Sequence, residues 1–166
     1  RATGFMNPTG MAFDSNDNLY VADSANQHGR WSGAAVKPQI PGHSAGIWKI
    51  NSNSMEILAG VVPIGDHDGT GDAASFISPN GLVASAGDSL YTKDEFNIRR
   101  IRPNGDVFTL GSTEANFTPL MVNSRGDIFE VRRSFAQNIS ASIMMYRLPE
   151  NTVYAIFDAK DRIYTS

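Results

Sequence analysis

Cysteine is absent from this 166-residue chain, which excludes disulfide staples, thiolate metal sites and cysteine nucleophiles. Also absent is any apolar run of the ~18 residues that a membrane helix requires, and the opening RATGFMNPTG lacks the apolar core of a secretion signal. Charge is sparse: Asp, Glu, Lys and Arg make up 19% of the residues, and the net charge is −3. No more than two basic residues adjoin, so the basic stripe that tracks nucleic-acid phosphates is missing. The pairs Arg99-Arg100 and Arg132-Arg133 come nearest, and in a strand the members of each pair point to opposite faces. Turn chemistry is plentiful instead, with 15 Gly and 8 Pro. That composition suits short strands and many reversals rather than a helical bundle.

A search for self-similarity explains the turns. PTGMAFDSNDNLYVADSAN (Pro8 to Asn26) aligns without gaps on PNGLVASAGDSLYTKDEFN (Pro79 to Asn97), matching Pro8 with Pro79, Gly10 with Gly81, Tyr20 with Tyr91 and Asp23 with Asp94. PLMVNSRGDIFEVRRS, from Pro119, is a third copy, with Phe129 at the aromatic position and Arg132-Arg133 set against Ala22-Asp23 and Lys93-Asp94. IFDAKDRIYTS repeats the beginning of the pattern a fourth time. Each unit goes on to a second motif: IWKINSNSMEILAG from Ile47, IRRIRPNGDVFTLG from Ile98 and MYRLPENTVYAI from Met145. Asp17-Asn18, Gly87-Asp88, Asn104-Gly105, Gly126-Asp127 and Glu150-Asn151 interrupt the apolar runs with residues that tolerate the positive φ of a tight hairpin. Two hairpins in series make four antiparallel strands per unit at a period of about 40 residues, the signature of a propeller blade.

On these residues the sequence resembles the NHL-repeat family of β-propellers. The unit Asp68 to Gly111 carries that family's order: a DG-G-A-F lead-in, P-x-G, an apolar strand, a turn, an aromatic strand closed by Asp, an Asn, then I-x-x-I and P-x-G. The similarity covers most of residues 5 to 111 and weakens beyond. It implies an all-β fold of four-stranded antiparallel blades, present as three blades plus a fragment, an incomplete ring within one partial domain over residues 1–166. The units fall at about 5–60, 66–111, 116–156 and 157–166. Both ends read as cut, so 166 residues is taken as a lower bound on a longer protein. Because Phe157 and Asp158 repeat Phe13 and Asp14 directly after the last strand of the third unit, the reading expects either residues skipped between 156 and 157 or a fourth unit that is no true blade.

Three groups of residues are candidate sites. An insertion, Gln27 to Gly46, holds His28, Arg30, Trp31, Lys37 and His43, and Trp and Arg in a long loop suit a partner-binding surface. Its plainer reading is a locally packed excursion. In DHDGTGD, Asp66, Asp68 and Asp72 alternate like the start of a calcium loop, yet its twelfth position is Ile77 where that loop needs Glu. Calcium is therefore a possible cofactor, and ordinary turn chemistry is the alternative. Asn116 and Asn138 head N-x-S/T sequons, which would place the protein outside the cell as a glycoprotein. Asp23 and Asp94 read as structural acceptors for backbone N–H groups of the following loop, and the repeated aromatics as packing between blades.

No nucleophile elbow, phosphate loop or Ser/His/Asp arrangement is present, and the strands set to line the channel, GMAFD, GLVAS and PLMVN, offer only Asp14 and Asn123. No catalytic residue is assigned. The expected function is a non-catalytic scaffold for protein or glycan partners, or for self-assembly through open sheet edges. The alternative, drawn from relatives of the family, is a metal-dependent lyase or hydrolase with its site in the channel.

Overall fold

A computed structural model describes residues 5–24, 45–60, 64–112, 120–134, 140–147 and 152–158, with side chains undescribed for 132–134, 140–142 and 152–158. The first sheet is β1 (Pro8–Phe13), β2 (Leu19–Asp23), β3 (Gly46–Ile50) and β4 (Met55–Ala59), paired in that order. The second is β6 (Pro79–Ala84), β7 (Leu90–Asp94), β8 (Asn97–Ile101) and β9 (Asp106–Ser112), with the two-residue β5 (Gly69–Thr70) added outside β9. The third is β10 (Leu120–Val122), β11 (Ile128–Ser134), β12 (Ser140–Arg147) and β13 (Thr152–Asp158). All pairings are antiparallel, so each sheet is one up-and-down propeller blade.

The first turn of each blade is built the same way. Asp14 donates its N–H to Asn18 O, Ser85 to Ser89 O and Asn123 to Asp127 O, while Asp17, Asp88 and Gly126 donate back to the first residue of their turn. These last three have φ of 60°, 57° and 86°. Short polar side chains and glycine tolerate that left-handed region, which is why the dipeptides seen in the sequence sit there.

A second repeated feature is invisible to a residue count. Between the third and outer strands the register skips one residue in every blade, at Leu58, Leu110 and Ile156. Those bulges align Ile47 with Ile98 and Ile143, so the third unit's second hairpin begins at Ile143 rather than Met145. They also make Phe157 the counterpart of Ala59 and Gly111. Phe157 and Asp158 therefore belong to β13, paired with Ile143 and Ser142. Residues 157 and 158 thus extend the third blade's outer strand, and residues 159–166 lie outside the described residues. The same registers place Val131 and Arg132, not Arg132 and Arg133, opposite Ala22-Asp23 and Lys93-Asp94.

Side-chain alternation then decides which blade touches which. Leu82, Leu90, Ile101 and Val107 leave one face of the second blade and pack with Tyr20, Ala22, Ile47 and Ala59 of the first. Tyr91 and Ile98 leave its other face and meet Leu120, Ile128 and Tyr146 of the third. Tyr20 and Tyr91 are thus packing residues between blades, each burial stabilising by roughly 1.5–3 kcal/mol.

The innermost strands β1 and β6 approach so closely that a Cβ on Gly10 would lie 2.5 Å from the backbone carbon of Gly81. Beside it, the Thr9 hydroxyl donates to Pro79 O at 2.6 Å, so the two backbones cannot part freely. Gly81 itself has a φ of 69°, so the sequence-conspicuous pair serves two purposes: close approach at 10, a left-handed backbone at 81. Gly10→Ala is expected to destabilise the chain by about 1–3 kcal/mol through overpacking, read as a lowered urea midpoint with an unchanged slope.

Candidate functional site

Among the described residues, the carboxylates that close the second strand of a blade accept N–H groups from the segment before the blade. Asp23 accepts the N–H groups of Met6 at 3.0 Å and Asn7 at 2.7 Å. Asp94 accepts those of Ile77 at 2.9 Å and Ser78 at 2.6 Å. Each aspartate thereby ties the entry of its blade to the adjacent strand, because the antiparallel turn of chain returns β2 and β7 to the starts of β1 and β6.

In the second blade this clasp is enlarged into a hub around the fully buried Arg99 and Asp94 side chains. Arg99 Nη1 donates to Asp94 Oδ2 at 3.0 Å and to Ser75 O at 3.2 Å. Its Nη2 donates to His67 O at 2.9 Å and Asp68 Oδ1 at 3.1 Å, and the guanidinium lies 5.1 Å over the Phe76 ring. Arg99 Nε is buried without a partner among the described residues. The equivalent place in the first blade holds Trp48, in edge contact with Phe5 at 5.9 Å. Burial pushes the Asp94 carboxyl up to about 6, against the opposing pull of Ser78, Arg99 and Ile77.

That hub also accounts for Asp68. Its Oδ2 accepts the Thr109 N–H at 3.0 Å and its Oδ1 the Thr109 hydroxyl at 2.9 Å, beside Arg99. The acid clamps the incoming segment to the outer strand β9, next to the β5 pairing. Asp66 and Asp72 are exposed, and no group of three or more ligating side chains gathers among the described residues. DHDGTGD is thus folded as a lead-in to the blade. His67 rests on Ser75, its N–H donating to Ser75 Oγ at 3.1 Å. His28, Arg30, Trp31, Lys37 and His43, and the sequon residues Asn116 and Asn138, lie outside the described residues.

The inner strands β1, β6 and β10 carry no titratable side chain at all. What the structure exposes is apolar. On the first blade's face turned away from the second, Met11 is 68% and Phe13 62% exposed; on the third blade's opposite face, Met121 is 68% exposed. Their counterparts show what these positions normally do: Leu82 and Leu120, equivalent to Met11, are 7% and 6% exposed because a preceding blade covers them. Sequence reading expected open edges. The structure relocates the openness to two broad sheet faces, each presenting the side chains that elsewhere in the chain fill a blade junction.

The family profile of the NHL repeat matches residues 5–28, so the chain carries an NHL repeat where the first blade begins. No curated protein matches the sequence. Among solved structures, the chain is similar to a protein of unknown function from Bacteroides thetaiotaomicron, at 14% identity and a TM-score of 0.53 over 90% of this chain and 35% of that one. It is also similar to a gluconolactonase from Xanthomonas campestris (15%, 0.47, over 78% and 36%) and to a streptogramin B lyase (9%, 0.45, over 89% and 53%). At these identities the likeness shows the fold alone. The chain spans between about a third and a half of the length of these structures.

Proposed function

We propose that this NHL-type propeller chain is a non-catalytic protein-interaction scaffold whose two open blade faces dock on each other between copies. The observation that carries the reading is that the two faces match by the repeat's own rules. Where the first and second blades meet, the Ser15 N–H and hydroxyl donate to the Asp88 carboxylate at 2.9 and 2.8 Å. Equivalent to Ser15 in the third blade is Ser124, and equivalent to Asp88 in the first blade is Asp17, both exposed. A copy docked through the third blade would bring Asp17 to Ser124 as Asp88 comes to Ser15, and would cover Met11 and Phe13 with the face holding Met121 and Val131. The uncharged inner strands support a role without chemistry; an enzyme would need metal ligands or acids from outside them.

Sedimentation velocity over a concentration series tests this. The wild-type chain is expected to associate reversibly, and Met11→Glu to weaken the association by about tenfold or more, since it places a charge in a desolvated contact. A wild-type chain that stays monomeric throughout, or associates as strongly with Glu at 11 and at 121, would overturn the reading.

A further inference from the structure

Arg100, directly after the buried hub, opens onto a cleft that no other feature of the protein explains. It lies between the first turns of the second and third blades, has a volume of about 380 Å³, and is lined by Ala86, Gly87, Arg100, Arg125 and Gly126 against the Tyr91 ring. The matching place between the first and second blades is filled, and what fills it is a carboxylate. There Ser15 presents its N–H and hydroxyl, Asp88 reaches back from the next blade to accept both, and Lys49 stands over Tyr20 at 5.7 Å.

The repeat makes the comparison residue by residue. Ala86 is the counterpart of Ser15, Arg100 of Lys49, Tyr91 of Tyr20 and Gly126 of Asp88. The second junction therefore keeps the cation and the aromatic wall, adds a second cation, and loses the acid. Among the described residues the Ala86 N–H makes no backbone hydrogen bond in the turn. Arg100 Nε and Nη2 donate to Ser89 Oγ at 3.2 and 3.0 Å, which holds the guanidinium in place at the cleft wall. Arg125 is 79% exposed at the rim, with Nε 3.4 Å from Asp127 Oδ2.

We infer that this cleft binds a small oxyanion, a carboxylate or phosphate group that takes the place Asp88 occupies one junction earlier. Its charge is met by Arg100 from the wall and Arg125 from the rim, and one oxygen accepts the Ala86 N–H. Charge-assisted bonds to a fixed guanidinium and a backbone amide are the chemistry by which such groups are held, and the volume suits a small-molecule ligand.

Amide shifts of the isotopically labelled chain, titrated separately with succinate and with inorganic phosphate against sodium chloride at matched ionic strength, test the site and separate the two sources. Saturable shifts at Ala86 and Gly87 with either anion, absent with chloride, are expected, and Arg100→Gln should weaken them by about tenfold. The decisive variant is Gly126→Asp. An added Cβ there meets nothing within 4 Å, and aspartate already takes a positive φ at the equivalent positions 17 and 88. The variant should supply the missing carboxylate from within, raise the melting temperature and abolish the titration. Shifts as large with chloride, or succinate and phosphate titrations that survive unchanged in Gly126→Asp while its melting temperature stays put, would overturn the inference. Neither outcome bears on association through the open faces.

Discussion

Glu130→Ala is expected to lower the stability of the chain by about 3–5 kcal/mol, while the double replacement Lys93→Met with Glu130→Met returns it to near the wild-type value. Lys93 leaves the second blade and Glu130 the third; their charged atoms are 2.7 Å apart and their side chains are 3% and 0% exposed. The Tyr146 hydroxyl donates to the same carboxylate. Removing the acid alone takes the counter-charge from a buried cation and the acceptor from the Tyr146 hydroxyl, whereas two methionines of similar length remove both charges and leave only that hydroxyl to be accommodated. Among the described residues this junction has the smaller apolar cluster, so it has less to absorb the loss. In a chain of this length each kcal/mol shifts the melting temperature by about 2–4 °C, so the single variant should melt about 10 °C lower. Calorimetry on the two single variants and the double variant gives the coupling directly. A Glu130→Ala variant within 1 kcal/mol of wild type, or a double variant no better than the single, would show that the pair is not what holds the third blade.

Arg99→Ala should be comparably damaging, at about 3–5 kcal/mol, because it removes the counter-charge of the buried Asp94 carboxylate, one donor to Asp68 and the donors to the carbonyls of His67 and Ser75 together. Its effect should spread to the lead-in segment, seen as faster amide exchange at Thr109. Asp94 adds a pH signature. An unfolded aspartate titrates near 3.9, and burial holds the folded one at about 6. Between those values the folded state binds more protons, so this group's contribution is full below about pH 4 and is lost as pH rises through 6. Asp94→Asn removes the titration. The difference in stability between wild type and Asp94→Asn should therefore shift against the wild type from pH 4 to pH 7, and a flat difference would contradict the raised value.

Much of the fold was legible because a propeller blade is a local meander. Its turns announce themselves through Asp17, Asp88 and Gly126, and its core through alternation around Tyr20 and Tyr91. Bulges obscured the end of the third blade. A bulge adds a residue without changing the kind of side chain around it, so Met145 looked like Ile143, and Phe157-Asp158 looked like a new blade beginning. The role of Asp68 was hidden for a different reason: its partners, Arg99 and Thr109, are 31 and 41 residues away. An Arg in the middle of an apolar strand, five residues after a strand-closing Asp, was the one available signal of the hub. The candidate interaction surface was legible only as open edges, since which face of a blade is covered depends on the neighbour and not on the blade.

The amino-acid sequence by itself determined the repeat, the four-stranded unit, the sites of the tight turns and the absence of thiol chemistry, all of which follow from residues close together in the chain. Only the tertiary structure decided what each exceptional side chain does. Arg99 and Arg100 are neighbours in one strand, yet alternation sends the first into a clasp on the segment that leads into its own blade and the second into a cleft against the third. Their surroundings come from strands and turns far away in sequence, and electrostatic roles are set by those surroundings.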